Sequence, residues 1–330
     1  MAANRTLTAT GRTFVILVWG ASFVCTDALL RAFSPLEIQL VRGLVAWCAL
    51  AAICPRDFGL RDVRTEGLFA AMGFVGIGLY QILETCSIRL SCASNVGVLM
   101  SAGPLVTALV VRLLTRRAVF TRRLSAGLAL AVAGSALVAS NGVLSLGFHP
   151  FGDLLVVVAM FCWAFYSALI PAALDRGVSW LAVARKTFFW AFVFLLPVAA
   201  WGMTAEGRVA LDGAFAVRFS DVDGWARLVR PLNLLNFAAL GVFASAGCHA
   251  IWNVVCRARG TVSMTVWLSL TPVVAVVLGF VCLGDRIGLI GIVGMVLTTA
   301  GVLLGGDGFG KMSQSNQQRQ LKNPIVGAFP

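Results

Sequence analysis

Charge is scarce in this chain. Asp, Glu, Lys and Arg make up 12% of its 330 residues, about half the roughly 25% typical of soluble domains, which excludes an ordinary soluble core. Lysine is scarcer still: Lys186, Lys311 and Lys322 stand against 23 arginines, a bias in keeping with a GC-rich bacterial genome and hence a plasma-membrane location. There are two histidines, His149 and His249, and no carboxylate cluster. The nine cysteines lie in or beside apolar runs with no C-x-x-C pair, so neither a disulfide framework nor a zinc site is indicated; they read as small hydrophobes in helix packing. No G-x-x-x-x-G-K-[ST] stretch occurs, which removes ATP as the direct drive. A membrane enzyme has no convergent catalytic group to build on, and no cofactor or metal is implied.

What the chain has instead is apolar length. Hydrophobic residues make up 59% of it, in stretches of about 20 residues, each long enough to cross a hydrocarbon layer of about 30 Å. Ten fall at roughly 13–31, 36–54, 67–87, 93–114, 124–140, 152–171, 180–202, 233–255, 262–283 and 287–305. The expected fold is an all-α integral membrane protein in a lipid bilayer. Residues 14–26 superficially resemble a signal peptide, but Asp27 interrupts the run and no A-x-A site follows, so the segment reads as a retained helix. Residues 311–330, rich in Gln, Asn and Ser, read as a flexible tail.

A net charge of +12 invites a nucleic-acid reading, which the distribution of that charge removes. Arg5, Arg12, Arg56, Arg61, Arg64, Arg116, Arg117, Arg122, Arg123, Arg176, Arg257, Arg259, Lys311, Arg319 and Lys322 fall in the terminal segments and in alternate short loops; the other short loops hold only Arg31, Arg89 and Arg286. Orientation follows such a bias, so both termini are expected in the cytoplasm. Residues 203–232 carry four basic and four acidic residues and form a long outer segment, either a cap on the outer face or a disordered insert.

The ten spans divide into two fives. Trp19 precedes Arg42 by 23 residues and Trp163 precedes Lys186 by 23; "SAGPLV" centres on Pro104 and "SLTPVV" on Pro272; Gly127 and Gly134 are seven apart, as are Gly294 and Gly301. Trp19 to Pro104 is 85 residues and Trp163 to Pro272 is 109, an excess of 24 that the 203–232 segment accounts for. An odd number of spans per half inverts the second half, the arrangement of many secondary transporters. The expected organisation is a cytoplasmic segment 1–12, repeats at 13–148 and 149–306, and a tail at 307–330.

These residues resemble the EamA-like members of the drug/metabolite transporter superfamily over roughly 12–305. The resemblance rests on "WGASF" in the first span, the Pro35 to Arg42 stretch, the prolines of the fourth and ninth spans, and "GDRIGLIGIVGMVLTTAGVLL". Arg116 and Arg117 stand where the family usually has a Glu. "FVCTDALLRAFSPLEIQLVR" is similar to a subgroup with Asp in the first helix and a basic residue four positions later. The resemblance implies a ten-helix solute carrier, usually an exporter of amino acids or related metabolites, although the subgroup also includes importers of larger metabolites.

Ionisable groups at membrane depth are costly and usually face a cavity or a partner. Asp27 has Arg31 one helical turn away: a local ion pair, or a carboxylate facing the cavity. Glu37 and Arg31 are expected at the outer boundary, in reach of water. Arg42 and Lys186 occupy matched positions, one near each gate, as substrate or gating cations; the alternative is snorkelling to headgroups, which Arg185 beside Lys186 favours on the inner side. Glu84, with Tyr80 one turn before it, is a candidate proton carrier, making protons the candidate coupling ion. His249, Trp252 and Asn253 are the matching candidates on the eighth span, with His249 either a packing residue or a relay. Trp19, Trp163 and Trp267 are candidates for an aromatic wall, and Pro104 and Pro272, each three residues after a serine, for hinges.

A secondary transporter of small amphipathic metabolites accounts for the repeat and the buried charges together. A passive channel accounts for the helices but not for the duplicated cations. A homodimer is a candidate assembly.

Overall fold

The computed structural model describes residues 2–55, 58–91, 93–115, 120–140, 149–278, 280–281 and 288–306, with the side chains of 2–7, 93–95 and 211–212 left aside. Arg116, Arg117, Arg286 and the tail at 311–330 lie outside the described residues. Within them the chain is all-helical: α1 (Ala2–Leu30), α2 (Pro35–Ile53), α3 (Val63–Leu90), α4 (Ala93–Met100), α5 (Gly103–Thr115), α6 (Arg122–Ser140), α7 (Pro150–Leu174), α8 (Trp180–Gly202), the short α9 (Ala205–Gly213) and α10 (Gly224–Leu228), α11 (Pro231–Arg259), α12 (Thr261–Leu268), α13 (Thr271–Leu278) and α14 (Leu289–Gly305). Among the described residues, nine helical stretches, with α4–α5 and α12–α13 each counted as one, are long and apolar enough to cross a membrane, and α14 is a shorter apolar helix. The chain is a multi-pass membrane protein.

Local chemistry sets the boundaries. Ser34 caps α2 in a reciprocal box: its Oγ accepts from the Glu37 amide while the Glu37 carboxylate accepts from the Ser34 amide, and Pro35 fixes the first helical position, satisfying amides that a helix start leaves orphaned. Gly260, at φ +87°, makes the reversal between α11 and α12 that a Cβ would disfavour. The residue pairs Ser101–Ala102 and Ser269–Leu270 interrupt the fourth and ninth spans just before Pro104 and Pro272. Each proline sits in the first turn of the following half-helix, where its missing N–H costs nothing. The expected kinks are thus full breaks.

The third and eighth spans share another irregularity. Gly73–Leu79 in α3 and Ala239–Gly247 in α11 are π-helical, a winding that recurs at functional sites because it displaces carbonyls from the ordinary ladder. One such carbonyl, Ala244, accepts from the Trp19 indole at 2.8 Å. In the other segment Gly76 lies against the Tyr166 ring, which a Cβ would approach to 2.3 Å.

Arg259 donates to Thr8, Arg12 lies over Trp267 and Ser263 donates to Gly306, so the described ends share one face, the terminal face, and residues 203–230 lie at the opposite one, the loop face. α6 and α14 pack backbone to backbone: a Cβ on Gly134 would fall 2.3 Å from the Thr298 amide, and one on Gly301 2.3 Å from that of Ala131. Small residues permit this approach where no hydrophobic drive operates between helices. The largest buried cluster, including Phe69, Met72, Tyr166, Phe188 and Trp252, fills the terminal-face half between α2, α3, α7, α8 and α11.

The 203–230 segment is an ordered cap. Ser34 Oγ donates to the Ala216 carbonyl at 2.6 Å, the Arg218 amide donates to Glu37 at 2.7 Å, and the Arg227 guanidinium reaches Glu37 at 3.3 Å and the Ala32 carbonyl. Glu37 is therefore fully buried, not water-reached as expected at a membrane boundary. The cap folded over it supplies the partners that a buried carboxylate requires.

Candidate functional site

With the terminal-face half packed, the loop-face half holds a cavity of about 390 Å3, within the range of small-molecule sites. α1 contributes Trp19 and Ser22; α2, Arg42; α3, Tyr80, Gln81 and Glu84; α7, Met160 and Trp163; α11, His249. The two helix breaks complete it with Ser101 and Pro104, and with Ser269, Thr271 and Pro272.

Arg42 lies seven residues into α2, roughly 10 Å along the helix from its loop-face end at 1.5 Å per residue. It is buried, and its Nε donates to Ser245 Oγ at 3.0 Å in the π segment of α11. Glu84 accepts from the Tyr80 hydroxyl, one turn back, at 2.9 Å. Arg42 and Glu84 are within electrostatic reach of each other. Arg42 and Glu84 thus line the same cavity, each held by a neutral neighbour, and can engage the two ends of a zwitterion. Gln39 Nε2 donates to Gln81 Oε1 beside them.

The aromatic groups form the floor. Trp19 and Trp163 meet edge to face with centroids 5.4 Å apart, and Trp252, outside the lining, packs 5.6 Å from each. His249 is edge-on to Trp19, Trp163, Tyr166 and Phe188, and its Nδ1 is 2.9 Å from the Ser245 carbonyl. That contact makes Nδ1 the donor, so in the neutral ring Nε2 is an acceptor.

Not every candidate joins this site. Lys186 is on the opposite side of the floor, buried in an ion pair with Glu66; its Nζ also donates to the Gly59 carbonyl at 2.9 Å, and the Trp190 indole donates to Glu66 at 3.0 Å. Arg185 does not snorkel either: it is 2% exposed, donates to the Cys54 carbonyl and lies over the Phe58 ring at 4.0 Å. Asn253 receives the Tyr166 hydroxyl at 3.3 Å, and the Trp252 indole reaches Ser167 Oγ at 3.3 Å, so both are packing groups beneath the floor. Trp267 stands apart from the aromatic wall expected of it, under the Arg12 guanidinium at 3.3 Å. Asp27 lines the cavity rim and is ion-paired with Arg31 at 3.0 Å, both side chains more than two-thirds exposed, a pairing worth at most about 1 kcal/mol.

Glu66 and Thr271 were not singled out in the sequence. Glu66 lies 120 positions from Lys186 and in an ordinary helix first turn, where an acid is common; no local signal could have marked it. Thr271 had a weak signal, its place next to Pro272.

A membrane chain, helical throughout its described residues, with a largely apolar cavity that carries a few charged groups above a packed aromatic floor, has the build of a membrane transport protein. The chain belongs to the EamA-like transporter family, whose model matches it twice, over residues 13–140 and 150–305. An uncharacterised transporter of Archaeoglobus fulgidus is 24% identical over 88% of this chain and 93% of its own length. A probable terminal-alkyne amino-acid exporter of Streptantibioticus cattleyicolor is 26% identical over 88% of this chain and 90% of its own. A solved structure sharing 17% identity superposes with a TM-score of 0.70 over 91% of this chain and 98% of that one, a likeness of fold alone.

Proposed function

We propose that the protein is a secondary active exporter of small zwitterionic metabolites, amino acids or close relatives, working by alternating access. The observation that carries this reading is the presence of Arg42 and Glu84 in the lining of one cavity: a guanidinium suits a substrate carboxylate, and a carboxylate suits an ammonium. Glu84 is also the group that would carry a coupling proton, since a substrate ammonium and a proton compete for one carboxylate. The exporter named among the relatives supports the direction. The doubled family match, and breaks and π segments recurring in each half, support two inverted repeats at 13–148 and 149–306. The arginine bias supports cytoplasmic termini in a plasma membrane, in which case the cavity faces outward and Lys186–Glu66 closes the inner side.

The test is reconstitution of the purified chain into liposomes with labelled amino acids, amines and nucleoside-like metabolites, with and without a pH gradient. Gradient-driven movement of amino acids and not of simple amines is the expected result. Movement of amines alone, or of no solute, overturns the proposal.

A further inference from the structure

Among the described residues, many buried hydroxyls fold back onto their own helix. Thr85 donates to the Gln81 carbonyl, Thr107 to Gly103, Thr265 to Thr261 and Thr298 to Gly294, each at 2.8–3.0 Å, the usual way a hydroxyl is satisfied in an apolar helix. At the first helix break Ser101 does the same, donating to the Val98 carbonyl. The second break differs. Among the described residues, Ser269 Oγ and Thr271 Oγ1 are the buried hydroxyls without a hydrogen-bond partner, and both residues line the cavity. Thr271 opens α13, so it has no preceding turn of its own helix to bond to. Leaving such a group unmatched costs about 1–3 kcal/mol, so native structures rarely do so without a functional reason.

The break is held in place by its backbone. The Ser269 carbonyl accepts from Ser135 Oγ at 3.1 Å, and the Thr271 carbonyl packs on Gly20, next to Trp19. The charged residues lining the cavity, Asp27, Arg42 and Glu84, all lie on α1, α2 and α3. An ion placed at the break would lack a counter-charge, and each break presents a helix C-terminus beside an N-terminus, so the end dipoles of opposite sign offset each other.

We infer that Ser269 and Thr271 form a subsite for an uncharged hydrogen-bonding group in the substrate's tail, a carboxamide or hydroxyl. This rests on the zwitterion reading above, in which Arg42 and Glu84 take the charged head. The carrier then prefers asparagine over leucine, two side chains of closely similar shape: a carboxamide can match these groups, leucine leaves them without a partner, and sites built to bond a polar group reject analogues lacking it.

The experiment is exchange of labelled asparagine and labelled leucine in proteoliposomes of the full chain, which needs no gradient. Wild-type protein should favour asparagine by at least about tenfold, matching one unsatisfied buried group. The Ser269→Ala/Thr271→Val double variant should exchange the two about equally, its folding checked by its melting temperature in detergent. Thr271→Ser, which keeps the hydroxyl, should retain the preference. Equal exchange by the wild type, or a preference that survives the double variant, overturns the subsite and leaves the zwitterion reading standing. Exchange of neither amino acid overturns both.

Discussion

Lys186→Gln offers the sharpest test of how the terminal face is closed. Lys186 and Glu66 are paired with side-chain exposures of 7% and 10%, so solvent does little to screen them. Removing one member of a buried pair costs about 3–5 kcal/mol, because the other charge is stranded. The glutamine amide still offers a hydrogen bond, which favours the lower end. About 3 kcal/mol, lost only from the state in which the pair is formed, shifts the closed-to-open ratio roughly 100-fold. A cysteine replacing Ser22, a cavity-lining residue, reports this in a background lacking the native cysteines. A membrane-impermeant maleimide applied to the terminal face should label it slowly in the wild type and at least about tenfold faster in Lys186→Gln. Removing both charges, in Glu66→Gln/Lys186→Gln, strands neither, so the double variant should fall short of the summed single effects. Arg185→Gln leaves the Lys186–Glu66 pair in place, and its effect on this labelling should be smaller. Unchanged terminal-face labelling in Lys186→Gln, or a larger effect from Arg185→Gln, refutes the reasoning.

Glu84→Gln keeps a hydrogen-bonding partner for Tyr80 but cannot titrate; gradient-driven transport should vanish while some substrate binding or exchange remains, and an unchanged pH profile of transport would contradict this. Arg42→Gln should weaken competition by zwitterions about 10- to 100-fold, the range for a charged hydrogen bond, but leave competition by simple amines intact. A cysteine replacing Ser220 should react with impermeant reagent only from outside the cell; labelling only from the cytoplasm would invert the topology. Gly134→Ala drives a Cβ to 2.3 Å from the Thr298 amide and should lower the melting temperature in detergent by the equivalent of about 1–3 kcal/mol. Gly43→Ala, with open space around it, should be neutral or slightly stabilising.

The sequence by itself determined the solvent and the plan. Spans of about 20 apolar residues have one low-energy solution in a bilayer, the helix, because no water there can satisfy a free backbone; Pro104 and Pro272 are legible as interruptions for the same covalent reason, a missing N–H. Landmarks such as Trp19 and Trp163, or Gly134 and Gly301, are legible because a duplicated segment keeps its spacing. Which side chains meet was decided by the tertiary structure. Arg42 and Lys186 share a spacing, yet one lines a cavity and the other is sealed against Glu66, since a helix position specifies a depth but not the neighbour that will face it. Glu37 sits where a sequence places an interfacial carboxylate, and only the folding of Arg218 and Arg227 over it, some 180 positions downstream, makes its burial affordable. Ser269 and Thr271 carry no mark distinguishing them from serines and threonines that bond their own helix. Their hydroxyls are orphaned by a break whose exact place depends on packing against Ser135 and Gly20, contacts between residues more than a hundred positions apart that no local pattern encodes.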